Sequence, residues 1–331
     1  MTYSVGGLIQ AADYNTFRNN LNAIWSTGSG DSGWGQTALS AVSIQSGEVA
    51  AVNWSTLVNT LATAGSQTAT TLTARTAPVS GNVIAILANV ATDITSVTTR
   101  RGFATGIQSS TPTWTGSISK TTDTGVPGIS GWSIQWTQDV IFPSSAQTRY
   151  FWNAGGLIRL RMSKSSTGTD IDPDWNTFVS TVGDLYISGR VNNANQVIAG
   201  VTYTGFTRIG GSGTPSPNLT TTGWYQIPGP IGTSTTLFQL NNSVYPYSSS
   251  FIRVQAAEVF TTFPTTGLRL TTTWFQSAQF YQTGISGGTA TTSPFTAFGT
   301  APAVLCSVFT PSTAQGLANT WGTPTVTSSV V

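Results

Sequence analysis

Residues 149–163, RYFWNAGGLIRLRMS, constrain the fold more than any other stretch of the chain. Ile158, Leu160 and Met162 alternate with Arg159 and Arg161, a period of two that puts apolar groups on one sheet face and cations on the other. Ahead of them, Asn153-Ala154-Gly155-Gly156 supplies residues that tolerate the positive φ of a tight turn. The pattern predicts a central hairpin. Tyr150 and Trp152 would lie on its first strand and Ile158, Leu160 and Met162 on its second, furnishing a core.

Upstream, the pattern is helical. Tyr14, Phe17, Leu21 and Ile24 mark one face of a helix over about residues 11–25, and Trp54, Leu57, Val58 and Leu61 mark a second near 52–64. The two belong to a repeat. Gly7, Ile9, Ala11, Asp13, Tyr14, Thr16, Phe17, Asn19 and Leu21 correspond to Gly47, Val49, Ala51, Asn53, Trp54, Thr56, Leu57, Asn59 and Leu61, each 40 residues on. Two strand-plus-helix units related by a pseudo-twofold are expected, with Asp13 and Asn53 as helix caps. A third helix is expected over 82–98, where Val83, Leu87, Val90, Ile94 and Val97 form a short heptad seam. That seam reads either as an amphipathic face packing on the first two helices or as a bundle at an oligomer axis.

After Arg100-Arg101 the chain turns to short alternating segments punctuated by Gly, Pro and Thr. Strands are expected at 133–142, 185–188, 196–203, 224–226, 237–240, 250–259, 267–275 and 303–309. The Ser/Thr/Gly stretches at 209–223, 283–300 and 311–331 read as loops or arms. Asp172-Pro173 opens a helix with Trp175, Phe178, Val179 and Val182 on one face and Gly183 past its end, with Asp172 as the cap. The expected fold is therefore α+β and mainly β: a helical module over 1–100, then an antiparallel β-sandwich-like body over 101–331 with one inserted helix, and with 190–220 as the place where any division of that body would fall.

Composition narrows the chemistry. Charged residues make up 7% of the chain, against about 25% in ordinary soluble proteins. The polar surface is left to Ser, Thr, Asn and Gln, and little repulsion keeps copies apart. Burial in an assembly follows as an expectation. The net charge of +2 is scattered, which argues against a nucleic-acid partner. No apolar run reaches the length of a membrane span, and the N-terminus lacks a basic-then-apolar leader, so assembly in a cytosol is expected.

The absence of histidine removes His-dependent triads and His metal ligands. Gly28-Ser29-Gly30-Asp31-Ser32-Gly33 has the letters of a dinucleotide fingerprint, but a helix precedes it and none follows at once, so it reads as a loop. Asp170, Asp172 and Asp174 resemble the start of a calcium loop whose sixth position is Trp175 and whose twelfth is Thr181, which does not fit an ion. Cys306, in AVLCSVF, reads as core. Trp132, Trp136, Tyr150, Trp152 and Trp224 offer either core packing or sugar stacking. No catalytic residue, cofactor or metal site is expected. Arg159 and Arg161 are the candidate subunit contact.

AADYNTFRNNLNAI, GSGDSGWGQ, RYFWNAGG and YSSSFIRVQA, in that order along the chain, resemble segments of virion structural proteins of contractile-tailed phages infecting cyanobacteria, of the neck-, whisker- or tail-fibre-like kind. Where those relatives often carry His-Gln after the second helix, this chain has Ser66-Gln67. The resemblance implies a non-enzymatic structural role in the virion. Partners would be further copies of the chain, most simply a trimer, and tail, neck or baseplate proteins, with a host-surface glycan as a possible ligand. Capsid decoration and a lectin-like receptor-binding module are the alternative readings.

Overall fold

A computed structural model describes residues 11–30, 32–43, 49–79, 87–101, 114–119, 132–168, 171–189, 196–198, 201–203, 205–214, 234–242, 249–259, 266–276, 280–286, 289–294 and 298–331. Three helices come first: α1 (Ala11–Trp25), α2 (Ala51–Gln67) and α3 (Leu87–Arg100). Two more, α4 (Ser145–Asn153) and α5 (Ile171–Ser180), lie among the strands. The strands are β1 (Trp114–Ser119), β2 (Trp132–Ile141), β3 (Leu157–Ser163), β4 (Asp184–Ser188), β5 (Gln196–Ile198), β6 (Val201–Tyr203), β7 (Phe206–Ile209), β8 (Thr235–Asn241), β9 (Phe251–Val259), β10 (Gly267–Gln276), β11 (Phe280–Ser286), β12 (Thr289–Pro294), β13 (Ala303–Phe309) and β14 (Thr325–Val330).

Two five-stranded antiparallel sheets form the body, in the orders β1-β13-β3-β4-β7 and β14-β2-β10-β9-β8. The fold is α+β and mainly β, with a sandwich-like arrangement. Period-two alternation builds its interior. Ile158, Leu160 and Met162 of β3 lie opposite Val308, Cys306 and Val304 of β13, all buried. In the second sheet Ile134, Trp136 and Val140 of β2 join Leu268, Leu270 and Trp274 of β10. Trp175 of α5 stacks on Trp274, with centroids 5.5 Å apart and planes 14° off parallel, and Phe298 meets both rings edge-on. These residues and the buried faces of α1, α2 and α3 belong to one contiguous core.

The helical repeat is visible in space. Tyr14 and Trp54, equivalent positions, meet ring to ring at 5.3 Å. An extended strap after α1 is held by side-chain amides acting as peptide mimics. Asn15 exchanges two bonds with Val42 (2.8 and 3.0 Å), and Asn22 does the same with Leu39 (3.0 and 3.0 Å). Asp13 and Asn53 do not stand at the cap position. Each lies third in its helix, and the cap position of α2 is Ala50, which offers no side-chain acceptor. In α3, Val90, Ile94 and Val97 are buried within this single chain, against α1 and α2. Leu87 opens that helix, and Val83 lies outside the described residues.

Several expectations are corrected. The central hairpin is a helix followed by a strand. Ser144 caps α4, accepting from the Gln147 N–H at 3.2 Å, and Thr148, Phe151 and Trp152 are buried at helical spacing. Asn153-Ala154-Gly155-Gly156 is the helix C-terminus. Gly155 has φ +102°, the Gly156 N–H reaches Phe151 O at 2.8 Å, and the Gly155 N–H reaches Trp152 O at 3.2 Å, which is a Schellman cap. Positive-φ glycines serve a helix end as well as a hairpin turn, and the capping pair Ser144/Gln147 was the signal that separates them. The stretches read as loops or arms hold β12, β14 and the second half of β11, and β7 forms where no strand was expected; β14 pairs with β2 over its whole length. The strand expected at 224–226 lies outside the described residues, and the one at 196–203 is the short β5–β6 hairpin.

Cys306 sits fully buried between Leu160 and the β1 backbone, and burial pushes its thiol from 9.0 up to about 12. The folded state therefore favours the protonated thiol. Its contribution to stability is complete below pH 9 and is lost as pH rises through the window from 9 to 12. Stability should fall by about 1.4 kcal/mol between pH 8 and pH 10 from this group alone. Urea titrations at the two pH values, run beside Cys306→Ala, measure it; an equal slope in both proteins would remove Cys306 as the cause.

Candidate functional site

Arg159 and Arg161 project from the face of β3 opposite the core, and β4 supplies their partner. Arg161 Nε and Nη2 donate to the two oxygens of Asp184 at 2.8 and 2.5 Å. These bonds push the Arg161 guanidinium further up from its ordinary value. Arg159 Nη1 stands 4.0 Å from the same carboxylate, donates through Nη2 to Ser307 Oγ at 3.2 Å, and lies 5.2 Å from the centre of the Phe309 ring. Two guanidinium groups thus share one carboxylate, leaving the patch cationic. Arg161 is half exposed and Arg159 mostly covered. Beside them Leu157, Tyr186, Ile209 and Phe309 pack with Tyr203 of β6 as a small cluster separate from the main core. Burial pushes the Tyr203 phenol up to about 12.

A second constellation joins the helices to the body. The loop over 28–36 wraps the C-terminus of α4. Asn153 Nδ2 donates to the carbonyls of Gly30, Ser32 and Gly33 at 3.2, 2.9 and 3.1 Å, while the Trp34 indole N–H donates back to Asn153 O at 3.1 Å. Arg149 donates to Ser32 O at 3.1 Å and Thr27 O at 2.5 Å. Gly35 has φ +70°, and a Cβ there would run into the Tyr150 ring. The C-terminal stretch closes the clasp: Gln36 exchanges bonds with the Ala318 backbone at 2.8 and 3.0 Å, and Thr320 Oγ1 donates to Trp34 O at 2.6 Å. GSGDSGWGQ and RYFWNAGG, 120 residues apart in sequence, are therefore one structural unit. Gln67 ends α2 and is buried there, its amide donating to Ala154 O at 3.4 Å.

The remaining candidates resolve as follows. The fingerprint-like glycines line the clasp, with Gly28, Gly30 and Gly33 all at positive φ. Trp136 and Trp152 are fully buried, and Tyr150 packs partly buried on the core; Trp224 and the Trp132 side chain lie outside the described residues. Among the described residues no group of three or more Cys, Asp or Glu could hold a metal ion, and no helix is long and apolar enough to cross a membrane.

Asp172 is not a helix cap: α5 begins at Ile171, and the Asp172 carboxylate points inward to the Lys164 ammonium, both side chains fully buried. Asp170 lies outside the described residues. Lys164 follows the last strand residue of β3 and continues the sequence alternation inward, a signal that the switch to polar residues after Met162 concealed.

No protein-family model, curated protein or solved structure matches the chain.

Proposed function

We propose that this chain is a non-enzymatic virion structural protein of a contractile-tailed phage, a component of a fibre or appendage on the tail, baseplate or neck. The observation that carries the reading is the character of the sheet surfaces. Ser133, Gln135 and Thr137 of β2 and Thr271 of β10 make a hydroxyl and amide face, with Thr273 buried beside Gln135. Beside it Arg269 is neutralised by Asp139 at 2.7 Å, and Arg253 lies over the Phe251 ring. Such a face hydrogen-bonds readily and repels a second copy little. The resemblance of GSGDSGWGQ and RYFWNAGG to phage virion segments supports the same reading, since these residues build the clasp on which the body is mounted.

The proposed assembly is a homotrimer with the Arg159/Arg161 patch at a subunit contact, where its unbalanced positive charge would meet an acceptor on a neighbour. Mass photometry of the purified chain should give three times the 34.6 kDa chain mass. Arg159→Glu/Arg161→Glu should abolish that species and incorporation into particles while circular dichroism stays unchanged. Normal incorporation of this variant would sink the subunit contact. Labelled chain seen on the capsid rather than the tail or neck in electron micrographs would replace the appendage by a head-decoration role.

A further inference from the structure

The buried pair of Lys164 and Asp172 has the parts of a condensation site. Neither side chain is exposed to solvent. Lys164 Nζ contacts Asp172 Oδ1 directly. Thr300 Oγ1 bridges the two, accepting from Nζ at 2.5 Å and donating to Oδ1 at 2.9 Å. Two backbone donors aim at the carboxyl group: the Gly299 N–H at Oδ2 (2.9 Å) and the Thr300 N–H at Oδ1 (3.2 Å). The face of Phe298 lies 4.7 Å from Nζ. On the other side Gly168, at φ +130°, lets the chain pass so close to the Asp172 carboxyl that a Cβ would collide with it.

We propose that Lys164 and Asp172 become joined by an intramolecular amide bond between Nζ and Cγ. The desolvated surroundings disfavour separated charges and exclude the water that would hydrolyse the product. One proton passes from Nζ to Oδ1, giving an amine and a carboxylic acid. The amine lone pair attacks Cγ, and the charge that develops on Oδ2 is held by the Gly299 N–H, the role of an oxyanion donor. The Thr300 hydroxyl takes a second proton from Nζ and delivers one to Oδ1, which leaves as water. The C–O bond breaks as the C–N bond forms, one water is released, and no oxidant or other reactant is consumed. The product ties the end of β3 to the first turn of α5 beneath residues 298–300.

Peptide mass spectrometry of the purified, denatured full chain tests this. Trypsin cannot cut beside an amidated lysine. The expected product is therefore residues 162–190, uncut at Lys164 and lighter than its sequence mass by one water. A cyclic imide at Asp172 is no alternative source of that loss, because Pro173 has no N–H to form it. Asp172→Asn should lose one ammonia instead, and Lys164→Arg should show the full sequence mass. Thr300→Val should raise the uncondensed fraction several-fold in freshly made protein. Cleavage at Lys164 that releases residues 165–190 at full mass would overturn the proposal and leave a buried ion pair.

Discussion

Asn153→Ala should lower the unfolding free energy by about 3 kcal/mol. The Asn153 amide supplies two N–H groups to three carbonyls of the 28–36 loop, and the Asn153 backbone carbonyl accepts from the Trp34 indole. Alanine removes the donors and leaves the buried Gly33 carbonyl short of a partner, at about 1–3 kcal/mol for a group that water cannot reach, and it also removes the half-buried bonds to Gly30 and Ser32. The backbone bond from Trp34 survives, so the loss stays below the sum of all four contacts. Asn153→Asp is the sharper variant. It keeps the shape but turns oxygen toward oxygen, so at neutral pH it should destabilise more than alanine and recover partly on acidification, as the carboxyl gains a proton to donate. Urea unfolding followed by tryptophan fluorescence measures both. Limited proteolysis should find new cleavage within residues 27–34, the part of the loop that Asn153 and Arg149 hold to α4. Equal stability of Asn153→Ala and the parent would mean that Trp34, Arg149, Gln36 and Thr320 maintain the clasp without the Asn153 amide.

Trp175→Ala should cost about 3–5 kcal/mol, the range for emptying a large aromatic site in a packed core. The indole stacks on Trp274, meets Phe178 and Phe298 edge-on, and donates through Nε1 to Gln276 Oε1 at 2.9 Å. Its loss removes the contact by which α5 is seated on the second sheet while that helix packs on β3 of the first. Trp175→Phe should cost less, about 1–2 kcal/mol, because a ring remains and only the hydrogen bond and part of the volume are gone. The midpoint of thermal or urea unfolding gives both numbers. A cost below 1 kcal/mol for alanine would show that residues 298–300 collapse into the vacated space.

Much of the fold was legible because its periodicities are strong. The burial of Tyr14, Phe17, Leu21 and Ile24, and of Trp54, Leu57 and Leu61, follows the 3.6-residue spacing. The strands β2, β4, β8, β9, β10 and β13 stand within a residue or two of their expected bounds. Where the sequence misled, two structures share one local signature. Alternating Tyr150 and Trp152 read as strand, yet Thr148, Phe151 and Trp152 carry the helical pattern and bury. Asp172-Pro173 read as a cap, yet the carboxylate found a buried ammonium eight residues earlier. β14 read as an arm because TVTSSV has no strong apolar face, and its strand state comes from pairing with β2.

The sequence alone determined the classes of segment: helices before residue 101, alternating strands after it, a core rich in tryptophan, and a surface nearly free of charge. These are local properties, written in spacing and composition. Only the tertiary structure decided that residues 28–36 and 149–156 form one clasp, that Val90, Ile94 and Val97 serve the chain's own core, and that Lys164 meets Asp172 out of water. Each of those depends on pairing between segments, up to 123 residues apart in the clasp. A polar side chain's partner is set by what the whole fold brings within hydrogen-bond distance, and no local period records it.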